Sequence, residues 1–177
     1  MTYALNELES LLRKAAVGAG FPVGHAVAIA AAGVWLARRR FPVCEIISRA
    51  LAVGMRESLA KPDGSGLAFK AARAAADGPA AIDLLLAGGA NATITLGDVD
   101  EPMLLVGLAG VAAKAHGVGV RLRAADVELA IGKDTAITPI ECSLPRECTV
   151  VMRLCGAFNC GDATGLATRY DPAACGD

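Results

Sequence analysis

Apolar residues recur at helical spacing from the start of the chain. Leu5, Leu8, Leu12, Ala15 and Ala19 fall on one stripe, and Glu9 and Arg13 form an exposed pair four residues apart. Gly18 and Gly20 end this helix, and Pro22 pre-sets the first turn of the next. From Val23 to Leu36 the second helix is apolar on every side, which predicts a central position. Phe41-Pro42 breaks the chain again. A third helix then turns Val43, Ile46, Ile47, Ala50 and Leu51 inward.

Lys61-Pro62-Asp63-Gly64-Ser65-Gly66 has the composition of a linker. It divides a helical layer over residues 1–60 from an α+β portion over 67–177, the two integrated as one domain. Two short Ala-rich helices follow, Leu67 to Ala76 and Ala80 to Ala87, with Asp77-Gly78-Pro79 as the stop between them. The period then changes to two. Ala92, Ile94 and Leu96 alternate with Thr93 and Thr95, a strand pattern. Pro102 opens an apolar helix to about Ala115, with Asp100 or Glu101 at its N-terminus. Val118, Val120 and Leu122 alternate with polar or small residues, as do Val127, Leu129 and Ile131. The short Ala124-Ala125-Asp126 link joins these two runs as a hairpin. Cys148, Val150, Met152 and Leu154 mark a fourth strand. The fold class is therefore α+β: three N-terminal helices, then a small mixed sheet with a packed helix.

Composition narrows the picture. Of 177 residues, 54% are hydrophobic but only 4% aromatic, so the core is built from Ala, Leu, Val and Ile, which permit close helix packing. Seventeen basic and 18 acidic residues give a net charge of -1, and no global field favours nucleic acid or an anionic membrane. Arg38-Arg39-Arg40 reads as a solvated helix end, where cations suit the dipole. The apolar run from Phe21 to Ala37 falls short of the ~20 residues that span a bilayer. Glu7 and Glu9 stand where a secretory signal is positive, which points to the cytoplasm and makes the six cysteines thiols rather than disulfides.

Leu5-Asn6-Glu7-Leu8-Glu9, Lys14-Ala15-Ala16 and Gly18-Ala19-Gly20-Phe21-Pro22-Val23-Gly24 resemble the start of a bacterial family known only as a domain of unknown function. Gly78 to Leu86 and Asp100 to Leu105 are similar to its middle, and Leu166 to Pro172 to its end. The resemblance covers most of the chain and implies a fold unit, not a reaction. Its members usually carry a hydroxyl residue before Leu-Asn-Glu, suited to a capping box. Here Ala4 stands in that place, so the cap is expected from Thr2 or Asn6. The helical pair also resembles the opening of the malate/L-lactate dehydrogenases that lack a Rossmann fold. Those enzymes follow their helices with a Ser-His-Gly segment that is absent here, so this likeness implies no activity.

Chemistry-bearing residues are few. His25, just inside the second helix, is a candidate acid/base with Glu9 or Lys14, and Gly20, Gly24 and Asn6 are the candidate ligand contacts beside it. The structural alternative is a histidine bonded to a nearby backbone group. His116, at a helix end, suits the dipole without further purpose. The glycine-rich turn lacks G-x-G-x-x-G spacing and lies between helices, which excludes a phosphate loop, although the free N–H groups there could hold an anion weakly. Cys155 and Cys160, near Asp162, are the candidate metal pair among irregularly spaced cysteines. No motif names a cofactor. The leading expectation is a protein that binds a small molecule or a partner protein without catalysis, with the apolar helices also suited to a homo-oligomer interface. An enzyme built on His25 and a cysteine-based metal protein are the alternatives.

Overall fold

The computed structural model describes residues 4–55, 60–63, 66–90, 92–132, 144–155 and 168–169. Helices α1 (Leu5–Gly18), α2 (Val23–Ala37) and α3 (Val43–Leu51) come first. Strands β1 (Ala60–Asp63) and β2 (Gly66–Phe69), helix α4 (Ala74–Ala87), strand β3 (Thr93–Val99) and helix α5 (Pro102–His116) follow. Strands β4 (Gly119–Ala124), β5 (Val127–Ile131), β6 (Cys148–Cys155) and β7 (Thr168–Arg169) complete the order. The strands form one mixed sheet in the order β1-β2-β3-β6-β4-β5-β7, with β2 and β3 parallel and the other pairs antiparallel. Helices α4 and α5 pack on this sheet, and α2 packs on both of them as well as on α1 and α3. The fold is α+β, as the alternation of periods predicts.

Two local sequences explain how the helical layer turns its corners. Gly20, at φ +87°, follows α1; its N–H bonds to the Val17 carbonyl, and the Phe21 N–H bonds to that of Ala16. That is a Schellman cap, with buried Phe21 as its apolar contact and Pro22 opening the next helix. The same device ends α2. Arg40, at φ +65°, bonds to Ala37, Phe41 bonds to Leu36, and Pro42 opens α3. Here an arginine holds the left-handed position that usually goes to glycine.

The buried stripe of α1 is narrower than its periodicity predicts. Leu12 and Ala16 are buried and Leu8 and Ala19 half-buried, but Leu5 and Ala15 are exposed, because α1 touches the rest of the molecule mainly along α2. The first turn carries half of a capping box: the Ala4 N–H donates to the Glu7 carboxylate at 3.1 Å. Ala4 is the N-cap, has no side-chain oxygen to return the bond, and takes none from Asn6, which lies inside the helix; Thr2 lies outside the described residues.

Residues 60–87 depart most from the sequence reading. The expected linker instead pairs β1 with β2, Asp63 lying opposite Gly66. Pro, Asp and Gly serve a hairpin as well as a linker. The first part of the expected Leu67–Ala76 helix gives way to β2, because its backbone pairs with β3 (Leu67 opposite Ile94, Phe69 opposite Leu96) and sheet pairing outweighs the helical preference of alanine, and only Ala74–Ala76 are helical, as the start of α4. Asp77-Gly78-Pro79 is no stop, since α4 runs through it. The Asp77 carboxylate accepts the Arg73 N–H at 2.6 Å, which caps the helix start. Pro79 withholds the donor that the Ala75 carbonyl would take within the helix. Gly78 lets α4 meet α5: a Cβ there would lie 2.6 Å from Leu108 and 2.9 Å from Leu105.

Helix α2 crosses α5 at close range, through glycines. A Cβ at Gly107 would lie 2.9 Å from the Ala32 carbonyl oxygen, and one at Gly110 would fall inside the Trp35 indole. The indole is 5% exposed, and its Nε1 finds no partner among the described residues.

A polar cluster fastens the helices to the sheet at the carboxyl ends of parallel β2 and β3. Asp77, Asp100 and Glu101 are buried. Asp100 Oδ1 accepts the N–H groups of Ala74 and Glu101, both at 2.8 Å, and so joins the start of α4 to the start of α5. Arg73 lies 3.7 Å from its other oxygen. Arg49 of α3 donates to Glu101 at 2.6 Å and also pairs with Glu45. The bond to Glu101 is the main cause that pushes the Arg49 guanidinium above its ordinary pKa.

Three stability measurements check this packing. Gly110→Ala forces a rigid ring to move, so chemical denaturation should show a loss of about 1–3 kcal/mol or more. Ala4→Ser restores the missing half of the capping box, and a gain of about 1 kcal/mol is expected in the same assay. Arg49→Ala leaves Glu101 buried without its cation. A loss of about 3 kcal/mol is expected, the low end of the range for a broken buried pair, because solvent reaches Arg49.

Candidate functional site

Where α2, α4 and α5 spread apart beyond their close crossings, alanines stand at the separation and leave space. Ala28 and Ala31 of α2, Ala80 of α4, and Ala112 and Ala115 of α5 border a hollow of about 490 Å³. Its walls also include Val27, Ile82, Leu86, Leu108 and Val111, and its polar side chains are His25, Asp83 and His116. His25 sits in the first turn of α2, half-buried, and its Nε2 lies 3.1 Å from the Ala76 carbonyl of α4. A carbonyl only accepts, so Nε2 carries the proton and donates it. Nδ1 is then the nitrogen left for other chemistry. His116 is exposed in the last turn of α5, ahead of Gly117 at φ +66°.

A second hollow, of about 600 Å³, shares Ala31, Val111 and Ala115 with the first. The two adjoin along α2 and α5 at these three apolar residues, as neighbouring lobes. The second lobe is walled by Val34 and Trp35 and ringed by Arg38, Arg39, Lys114 and Glu9. The Arg39 guanidinium stacks 3.5 Å from the centre of the Trp35 ring and donates to the Trp35 carbonyl at 3.2 Å. Burial, and then the neighbouring charge of Arg38, lowers the Arg39 pKa from its ordinary value.

The residues that the sequence singles out are dispersed. His25 and Gly24 line the first lobe and Glu9 the second. Lys14 lines a separate depression with Arg13, Val17 and Val23. His25, Glu9 and Lys14 therefore do not share one hollow. Gly20 and Asn6 are exposed and border none of the three. Cys155 is a half-buried free thiol at the end of β6, and Cys160 lies outside the described residues. Cys148 is half-buried too; burial pushes its thiol pKa up, and Sγ lies 3.2 Å from the Pro145 carbonyl. Among the described residues no three His, Cys, Asp or Glu side chains could hold a metal ion, and no helix is long and apolar enough to cross a membrane.

Sequence reasoning missed the second lobe. Its signal was present in Arg38-Arg39 and in the basic last turn of α5, but each reads alone as a cation suited to a helix end. Only the crossing of α2 on α5 brings the two ends to one hollow.

No curated protein matches the chain. Among solved structures it is similar to the malate dehydrogenase from Entamoeba histolytica, with a TM-score of 0.52 at 7% identity. The superposition covers 77% of this chain and 47% of that one, so the chain spans about half the length of the enzyme. At such identity the likeness is one of fold. The N-terminal half is more specific: residues 3–93 match the model of a family described as a protein of unknown function, DUF3726, and the chain belongs to that family.

Proposed function

We propose that this protein binds a small molecule in the groove between α2, α4 and α5, without catalysing its conversion. The observation that carries this reading is the first lobe itself: about 490 Å³ of space with mainly apolar walls and three polar side chains. Binding sites for small molecules have this size and this balance of apolar wall to polar anchor. Exposed Val23 and Val27 extend the apolar surface on the same helix. The rival acid/base reading of His25 has less support, because Nε2 is committed to a backbone carbonyl and neither Glu9 nor Lys14 borders the same lobe. The likeness to a malate dehydrogenase adds no dehydrogenase reading, since it rests on fold alone.

Phenylnaphthylamine, a neutral apolar dye, tests the proposal. Saturable binding of one dye per chain is expected, seen as emission excited through Trp35, the single tryptophan of the chain. Ala28→Phe fills the lobe and should weaken binding by about tenfold or more with the circular dichroism unchanged. Binding that never saturates, or that ignores this substitution, overturns the proposal.

A further inference from the structure

The two lobes differ in kind. The first offers apolar walls with two imidazoles and one carboxylate. The second gathers Arg38, Arg39 and Lys114 against a single acid, Glu9, in a chain whose net charge is -1. Part of this positive charge has a structural use, since it faces the C-terminal ends of α2 and α5. Each helix end carries about half a negative charge, so the two together offset about one of the two excess positive charges. The remaining excess is uncompensated within the lobe. Arg38 and Lys114 are exposed and form no ion pair among the described residues, while Arg39 is committed to Trp35. Ala31, Val111 and Ala115 belong to both lobes, so a single ligand can lie across them without crossing a polar barrier.

We infer that the ligand of the groove is an amphipathic organic anion, its apolar body lying in the His25 lobe and its acidic head between Arg38 and Lys114. This inference rests on the binding role proposed above and adds the chemical class. A carboxylate, sulfonate or phosphate head meets the same requirement: negative charge placed beside two exposed cations, at the rim of an apolar hollow. Glu9 sets the limit on the charge of the head, because a second negative charge would come to lie beside its carboxylate. The Trp35 ring, held by the Arg39 stack, forms a fixed wall for the part of the body nearest the head.

A matched pair of dyes separates the two claims. Anilinonaphthalene sulfonate is phenylnaphthylamine with an acidic head added. On the unmodified protein the sulfonate should bind about tenfold more tightly than the neutral dye, in keeping with two solvent-reached charges of modest individual effect. Added salt should erase that advantage and leave the neutral dye unaffected. Arg38→Gln with Lys114→Gln should bring the two affinities together by weakening the sulfonate alone. Glu9→Gln, which touches the same lobe, should instead tighten the sulfonate, so a folding defect in the double variant leaves the inference exposed to refutation. Equal binding of both dyes by the unmodified protein overturns the anion inference and leaves the groove as a neutral site. An advantage that survives the double substitution also overturns it. Failure of both dyes to bind removes the groove reading and this inference together. So does sedimentation showing self-association that expels the neutral dye, because a second copy of the chain would then be the occupant.

Discussion

The close approach of α2 to α5 is the contact on which the architecture depends. Helix α2 is the most widely shared helix of the layer, packing on α1, α3, α4 and α5 and leaving only its first turns, with Val23 and Val27, exposed. It reaches α5 only because Gly107 and Gly110 offer no side chain to Ala32 and Trp35. A chain with so few aromatics gains little from large side chains, so it gains contact by shortening the distance between backbones. Shortened distance at a crossing has a geometrical consequence. Helices that touch at one point diverge on either side of it, and small residues do not refill the gap. The groove is thus a product of the same alanines and glycines that make the core.

The usual place for a ligand in a parallel β-α-β unit is the crevice beyond the carboxyl ends of its strands. Here that crevice, beyond β2 and β3, is occupied from within. Asp100 takes the N–H groups at the starts of α4 and α5, where an anion would bind, and Asp77 caps α4. Arg49 and Arg73 compensate the buried acids. With its helix starts satisfied by its own carboxylates, the molecule presents concave surface in the helical layer instead. This bears on how the likeness to a much longer dehydrogenase is read. A shared path of the chain fixes where strands and helices lie, but the side chains at each strand end decide what can bind there.

The helices and most strands were legible in the sequence because their periods are local. The glycine stop at Gly18 and Gly20 ahead of Pro22 and the β4–β5 hairpin follow from a few neighbouring residues. Residues 60–87 were not legible in the same way. Alanine favours a helix, but the backbone of β2 finds its partner in β3, some 27 positions on at Leu67 opposite Ile94, and no local pattern encodes that pairing. Pro79 misleads for a related reason: the lost hydrogen bond is tolerated inside α4 because Gly78 packs that turn against α5.

His25 was visible as a candidate because histidine is rare in the chain, yet its bond to Ala76 spans 51 positions, and its separation from Glu9 and Lys14 depends on which faces of α1 and α2 meet. Arg38 and Lys114 lie farther apart still in sequence, each explained locally by the helix end it occupies. The chain alone thus determined the class of fold, the ends of most helices and the small-residue character of the core, all set by interactions within one or two turns. Tertiary structure decided the strand partners, the burial of Asp77, Asp100 and Glu101, and the placing of imidazoles and arginines in neighbouring lobes. Those depend on distances between elements, which are fixed only when side chains from remote parts of the chain compete for the same space.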